Sequence, residues 1–360
     1  VAYLYALPDV SIVCLPDLPE LVSMDRDELT VEAPEQDVPP EQFVECSDRQ
    51  AVETPDDASK YVLAPQCDDQ AYADWVKAIR LIIELLENTK SGRATQLVAS
   101  LPLPQEGSDA AKDMNTYLSD KNYLEGSLYT NLNSICSAFV QLCYPWIVSE
   151  DSKLPQDLNA PEGVVAGLLA RNALLRGSFR SISYLPLVEV NDLYPQLTNQ
   201  QRELKYKNGD YMLIDRVSIF KRTAKGVRLI SDVTTSDNSD YRQANISRIV
   251  SMLVRESRRI GESVVFETSG DVLWRAICDR MNGFLLFLYR SGALNGASAA
   301  QAYQVRCGRT TMTQDDIDNG RVIVEIIFNA ASAIESIVVT LTLENSGQYV
   351  DVTTQAIEAA

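Results

Sequence analysis

Apolar residues fall along the chain in several readable registers. DVSIVCLPDL (Asp9 to Leu18) is a short apolar run stopped by Pro16, the pattern of a buried parallel strand that ends in a loop. From Ala71 to Asn88, Trp75, Val76, Ile79, Ile82, Ile83 and Leu86 recur at spacings of three and four, which buries one face of a helix. ATQLVASLPLP (Ala94 to Pro104) reads as a second buried strand. Strand, helix and strand in this order imply a crossover connection and a mainly parallel sheet. A further helix is expected from about Asn131 to Cys143, leading into Tyr144-Pro145-Trp146-Ile147.

The second half opens with DYMLIDRVSIF and GVRLISDVTT, which alternate or run apolar as strands do, with a turn at Lys225-Gly226. Ala244 to Gly261 has a helical stripe of Ile246, Ile249, Val250, Leu253 and Val254. At about 100° per residue, Arg248, Arg255 and Arg259 lie within roughly 40° of one another on the opposite side. VVFE (Val264 to Glu267) reads as a short strand. Asp271 to Arg290 is a second long helix, buried through Trp274, Ile277, Met281, Leu285 and Leu288, with Gly292 placed to cap it. VIVEIIF and SIVVTLTLENSG are strand-like, and Asp318-Asn319-Gly320 supplies the turn before the first of them. In the last strand Val338, Thr340 and Thr342 alternate with Ile337, Val339, Leu341 and Leu343. One of its faces is therefore apolar and the other largely polar.

Charge and proline change this picture in one place. About Asp25 to Asp69 is acidic, proline-rich and without period (VEAPEQDVPPEQ, VETPDD), as an exposed insertion would be. Residues 1–60 carry 15 acids against 3 bases, while 216–309 carry 15 bases against 8 acids. A strongly acidic protein thus holds one basic portion, which argues against nucleic acid as its general partner and suggests that this portion faces something acidic, with an ordinary solvated basic surface as the alternative. No apolar run reaches the roughly 18 residues that span a bilayer, so membrane insertion is not expected. The start at Val1 shows no signal-peptide pattern and reads as a trimmed N-terminus.

Candidate chemistry is sparse. The chain has no histidine, which removes Ser-His-Asp and Cys-His pairs, histidine metal triads and the commonest general base. The seven cysteines are widely scattered without a CxxC, as free thiols of a reducing compartment would be. Asp315, Asp316 and Asp318 lack calcium-loop spacing, and TQDDIDNGR reads as a turn before a strand. Gly163 and Gly167 form a GxxxG in a short apolar run, which points to tight local packing rather than a membrane helix pair. No Walker-type glycine loop is present. No cofactor or metal is expected.

Taken in order, several segments resemble the contractile tail sheath proteins of myophages, R-type tailocins and extracellular contractile injection systems. NGDYMLIDRVSIFKRTAKGVRLISDVTTSD is followed by the arginine-bearing helix, VVFE, an LW near the next helix start, FLLFLYRSGALNGAS, YQVRC and TMTQDDIDNGRVIVEI. Upstream, YPWI and APEGVVAGLLARNALLRGSF are similar to the family's Pro-Trp, glycine-loop, Ala-Arg and Arg-Gly series, and DVSIVCLPDL to its first core strand. The chain departs from the family at Leu229-Ile230-Ser231-Asp232-Val233-Thr234, where a Trp-Gly-Ala-Arg-Thr-like segment is usual. It departs again at Asn329-Ala330-Ala331-Ser332-Ala333, where prolines are usual, and the family's extended N-terminal arm is not found ahead of Val1.

The resemblance implies an α/β fold: a subtilisin-like α/β middle domain (1–24 and 71–206), the acidic insertion (25–70), an α/β C-terminal sheath domain (207–333) and a C-terminal linking arm (334–360). It implies a structural subunit, not an enzyme, that polymerises as a helical stack of rings around an inner tube and contracts to drive the tube through a target envelope. The partners so implied are further copies of the chain, the inner tube protein, and baseplate and terminal cap proteins, with no nucleic acid and no direct membrane insertion. Assembly is expected in the bacterial cytoplasm, within a virion tail or a particle later released. The strand Ile337, Val338, Val339, Thr340, Leu341, Thr342 and Leu343 is the expected subunit link, with pairing inside its own domain as the alternative. Arg248, Arg255 and Arg259 are the candidate contacts to the tube or a neighbour. Two other readings remain: a non-polymerising sheath-like baseplate or cap component, and a catalytic α/β protein.

Overall fold

The computed structural model describes residues 10–23, 30–31, 61–62, 64–87, 95–112, 135–150, 152, 157–202, 212–236, 238–331, 337–343 and 350–356. In chain order the main elements are β1 (Ile12–Cys14), α1 (Asp69–Glu87), β2 (Gln96–Ser100), β3 (Val140–Tyr144), β4 (Trp146–Val148), β5 (Leu158–Asn159), α2 (Glu162–Leu175), β6 (Asp192–Tyr194), β7 (Val217–Thr223), β8 (Gly226–Leu229), α3 (Ala244–Val264), α4 (Asp271–Arg290), β9 (Tyr303–Cys307), β10 (Val322–Phe328), β11 (Ile337–Leu343) and β12 (Val350–Ala356). The α/β fold expected from the sequence is the fold observed.

A five-stranded sheet in the order β1-β2-β3-β7-β8 forms the first half, parallel except for the β7–β8 hairpin. Its middle strands are covered on both sides, and the pleat sorts their side chains. Leu97, Ala99, Val140, Leu142, Tyr144, Val217 and Ile219 pack with the apolar face of α1, whose Trp75 and Ile79 are fully buried. Val98, Cys143 and Phe220 pack on the other side with Val165, Leu168 and Leu169 of α2. A small antiparallel sheet, β6-β4-β5, adjoins this body. Two of the sheet's strands, β7 and β8, come from beyond residue 206. The end of the 25–70 segment also enters this core: Ala64 and Cys67 are buried, and Gln66–Cys67 pairs in parallel with Leu103–Pro104. Most of the acidic insertion lies outside the described residues.

The second half packs α3 and α4 against an antiparallel sheet, β9-β10-β11-β12. Every second residue of β10 (Val322, Val324, Ile326, Phe328) is buried in a core shared with Ile246, Ile249 and Leu253 of α3 and Ile277, Met281 and Leu285 of α4. Helix α4 stops as its sequence requires. Gly292, at φ +78°, donates its N–H to Tyr289 O at 3.0 Å, and Ala293 donates to Leu288 O at 2.9 Å. These two reversed bonds satisfy carbonyls that the last helical turn leaves open.

Three expectations are corrected. Helix from Asn131 to Cys143 gives way to strand: Val140–Tyr144 is the middle strand of the five, buried at every position. A strand covered on both faces is apolar throughout, and such a short run carries no period to distinguish it from a helix. VVFE forms no strand; α3 runs to Val264, and Phe266 turns outward at φ +74° and 93% exposure. Gly163 and Gly167 do no local packing either, since a Cβ at each would meet nothing within 4 Å.

Because Gly292 sits in the left-handed region, a side chain there strains the backbone even though a Cβ would meet only the Arg180 guanidinium, at 3.9 Å. Gly292→Ala is expected to lower stability by about 1 kcal/mol, read as a lower urea midpoint at unchanged slope.

Candidate functional site

Only one of the three candidate arginines is exposed. Arg259 faces solvent on α3, and Arg255 is half-buried and donates from Nη1 to Ser11 Oγ at 2.9 Å, tying the helix to the start of the first sheet. Arg248 is buried. Its guanidinium makes a two-pronged ion pair with Asp232, Nη1 to Oδ1 at 3.2 Å and Nη2 to Oδ2 at 2.7 Å. Two further N–H groups are used as well: Nε donates to Ser178 O at 2.9 Å and Nη2 to Arg180 O at 3.2 Å. The expectation of a single outward arginine face is therefore corrected at Arg248. The physical reason is that α3 is covered on two sides. Its apolar stripe faces α4 and β10, while Ala244, Ser247, Arg248 and Ser251 form a second buried line.

Asp232 lies in the segment that departs from the family pattern, and that segment is the joint of the molecule. Ser231, Asp232, Thr234, Thr235 and Ser236 are all buried. Asp232 accepts the backbone N–H of Ile182 at 3.0 Å and the amide of Gln141 at 3.0 Å, in addition to Arg248. The Gln141 amide also donates to Ser218 Oγ at 3.0 Å, and Gln96 donates to Gln141 Oε1 at 2.8 Å. Polar side chains from β2, β3 and β7 thus run in one row to the carboxylate. Ser231 Oγ accepts from Ile219 N at 2.9 Å and donates to Val217 O at 2.9 Å, so a side chain continues the ladder where the β8 backbone ends. Thr235 donates to the carbonyls of Ile135 and Ser137 ahead of β3, and the backbone N–H groups of Ala244 and Thr234 pair with Asp232 O and Arg242 O.

The loop that closes over this pair is held from α2. Asn172 Nδ2 donates to Arg180 O at 2.7 Å, and Gly177 (φ +100°) lets the chain fold back onto Phe179, whose ring would stand 2.4 Å from any Cβ at that glycine. Between this loop, the start of α3 and the end of α4 lies a cleft of about 590 Å³, bordered by Arg176, Arg180, Gln243, Ile249 and Gly292. Burial alone would raise the Asp232 pKa. The charge and hydrogen bonds of Arg248, with the Ile182 N–H, outweigh it and hold the carboxyl below its ordinary value.

The Cys14 thiol is pushed up to about 11 and Cys67 to about 12, in both cases chiefly by burial, and Cys143 is raised well above its ordinary value for the same reason. Asp316 caps its own short helix through Thr313 and pairs with Arg321 at 3.1 Å, while Asp318 accepts from Gln314. Among the described residues no three His, Cys, Asp or Glu side chains gather as metal ligands would, and no helix is long and apolar enough to cross a membrane.

The linking strand Ile337 to Leu343 is β11. In the single chain it pairs antiparallel with β10 along its whole length, from Phe328↔Ile337 to Val322↔Leu343, and with β12 on its other edge. The sheet ends at β9 and β12.

Breaking the Arg248–Asp232 pair strands a buried charge, so Arg248→Ala is expected to cost about 3–5 kcal/mol, against no shift in urea midpoint for Arg259→Ala. A carboxylate whose folded pKa is depressed contributes stability above its unfolded value and loses it as pH falls through the folded one. Wild-type stability therefore drops as pH descends below the ordinary value of 3.8. Asp232→Asn is expected to flatten part of that drop while lowering stability at pH 7.

No curated protein sequence matches the chain. Residues 236–344, from just ahead of α3 to just past β11, match the phage tail sheath C-terminal domain. Among solved structures, the fold is similar to that of the anti-feeding prophage helical sheath in its contracted state, at 22% identity and TM-score 0.54 over 76% of this chain and 67% of that one. It is similar to the sheath of an extracellular contractile injection system, also contracted, at 20% identity and TM-score 0.56 over 71% and 65%. The anti-feeding prophage baseplate structure matches at 21% identity and TM-score 0.55 over 72% and 63%. The chain thus spans about two thirds of the length of these proteins or slightly less. By sequence over residues 236–344, and by fold over about three quarters of its length, the chain is similar to the sheath proteins of contractile tails and injection systems, as its ordered motifs led one to expect.

Proposed function

We propose that this chain is a sheath subunit that polymerises around an inner tube and contracts to drive that tube into a target envelope, in a virion tail or a released contractile particle. The observation that carries the reading is the coincidence of the matched sheath C-terminal domain with the α3–α4–β-sheet body, joined by a buried ion pair to a second α/β body. Contraction of a sheath needs subunits that shift between two packings without deforming internally, and a subunit welded through its middle meets that need. Work then comes from interfaces formed in a strained state, with no nucleotide site and no enzymatic step in the subunit. A second reading, a sheath-like component of the baseplate or terminal cap that does not polymerise, is favoured by the baseplate match.

The C-terminal strands are the proposed link between subunits. An antiparallel sheet that ends in β9 and β12 offers main-chain hydrogen bonds at either edge, and β11 with β12 is a unit that neighbouring copies can exchange for an identical one. Arg255 and Arg259 are the proposed contacts to acidic groups on the tube or a neighbour. Arg248, being buried, is left out of that set.

Electron microscopy of the chain co-expressed with its tube protein is expected to show rings or tubes; a persistently monomeric, folded chain would favour the baseplate or cap reading. Truncation after Ala333 is expected to leave a soluble, cooperatively melting protein that forms no tubes, and either polymerisation or outright unfolding of that protein sinks the linking role. Exposed ion pairs contribute only about 0–1 kcal/mol each, so many repeated contacts are needed. Arg255→Glu with Arg259→Glu should therefore weaken tube-dependent assembly most at low salt, and unchanged assembly would make them an ordinary solvated face.

A further inference from the structure

Glu162 and Asp232 are both buried against the first sheet, and the fold treats them in opposite ways. Asp232 has its charge met by Arg248, by the Ile182 N–H and by the Gln141 amide. Glu162, the first residue of α2, is fully shielded from water, yet neither of its carboxylate oxygens has a hydrogen-bond partner among the described residues. Its seat follows from the strand register. Helix α2 lies on the sheet face that carries Val98 and Cys143, and residues paired across strands share a face. Cys14 stands opposite Val98 and Ser100 opposite Cys143, so the carboxyl ends of β1, β2 and β3 present Cys14, Ser100 and Cys143 to the side where α2 begins. None of these groups meets the carboxylate. Cys143 Sγ is turned to Ala99 O at 3.2 Å, the Ser100 hydroxyl is itself buried without a partner, and Pro161 at the head of the helix supplies no side-chain cap. A buried charge left in this state is costly, whereas the protonated acid is not.

We propose that Glu162 is a proton-operated catch on α2: with its proton it seats the first turn of the helix on the ends of β1, β2 and β3, and without it the carboxylate draws that turn toward water. Burial pushes the carboxyl above its ordinary value of 4.5; its own backbone N–H and the Ser100 hydroxyl offset part of this, and the like charge of Asp17 adds to it. The thiols on the facing strands stay protonated throughout, Cys14 being raised to about 11 and Cys143 well above its ordinary value. A group whose folded pKa is raised contributes stability that is fully present below the unfolded value and is lost as pH rises through the folded one. The contribution of Glu162 is therefore present below 4.5 and lost above it, the reverse of Asp232. One proton changes the folding equilibrium by up to about tenfold per pH unit between the two values. The catch acts on the element that supports the joint, because the other end of α2 holds the 176–182 loop through Asn172 and Arg180 O at 2.7 Å. Mild acid tightens the subunit at that helix.

The test compares the full chain with Glu162→Gln, which keeps the shape of the side chain and cannot ionise. Urea midpoints are measured across the range from pH 4.5 to pH 8. The wild-type midpoint is expected to fall relative to that of the variant as pH rises, leaving the variant the more stable protein at pH 8. Hydrogen exchange reads the same event locally at Val165, whose N–H donates to Pro161 O at 3.1 Å in the first turn. Once the intrinsic pH dependence of exchange is removed, protection there should decline with rising pH in the wild type and stay level in the variant. Parallel pH profiles for the two proteins, or a variant less stable than the wild type at every pH, overturn the proposal. If the variant does not fold, carbon-13 NMR of the Glu162 carboxyl in the wild type decides: a titration midpoint above 4.5 is expected, and one at or below that value overturns the catch. Every measurement is made on the isolated chain, so failure here leaves the sheath reading standing, and loss of tube formation would not touch this result.

Discussion

The buried ion pair between Arg248 and Asp232 is the contact on which the rest of the structure converges. A guanidinium and a carboxylate withdrawn from water together cost more than their attraction returns unless every remaining donor and lone pair is met. Here four of the five guanidinium N–H groups have partners, and the pair is held from four further directions: the β3 amide of Gln141, the backbone N–H of Ile182, and the carbonyls of Ser178 and Arg180. The geometry leaves the sheet, the α2 loop and α3 with a common fixed point. Hydrophobic contact alone would not choose so narrowly, because apolar surfaces slide at little cost whereas a desolvated two-pronged pair does not.

That fixed point divides the molecule's labour. On one side lies a parallel sheet clad by α1 and α2, and on the other an antiparallel sheet under α3 and α4, each with its own apolar cluster. Segment 231–236 belongs to both, supplying Ser231 and Thr235 to the first sheet and Asp232 to the arginine of α3. The outer surface carries the exposed Leu174 and Leu175 of α2, Arg259 of α3 and the edge strands β9 and β12 of the C-terminal sheet.

Much of this is legible in the amino-acid sequence alone. Long amphipathic helices declare themselves, because a helix buried on one side must repeat its apolar residues every three or four positions; Trp75 to Leu86 and Ile246 to Val254 do so, and both stripes are buried. The one-sided strand Val322–Phe328 and the cap at Gly292 are equally plain. The order of motifs carries the family resemblance, since a series of weak signals in fixed sequence is specific where each alone is not. Local pattern, turn chemistry and composition are properties of neighbours along the chain, and they are enough for the α/β class and for the absence of histidine chemistry.

What lies beyond the sequence is everything set by a partner distant in the chain. Val140–Tyr144 is a strand because Leu97–Ser100 and Val217–Ile219 flank it, and its five residues hold no period that could say so. Arg248 resembles Arg259, one polar residue among others on a helix face, until Asp232 and the loop at 178–182 are folded over it. The periodicity of an element fixes which side is apolar, but whether the opposite side meets water or an ion pair depends on long-range packing, and that only the tertiary structure decides.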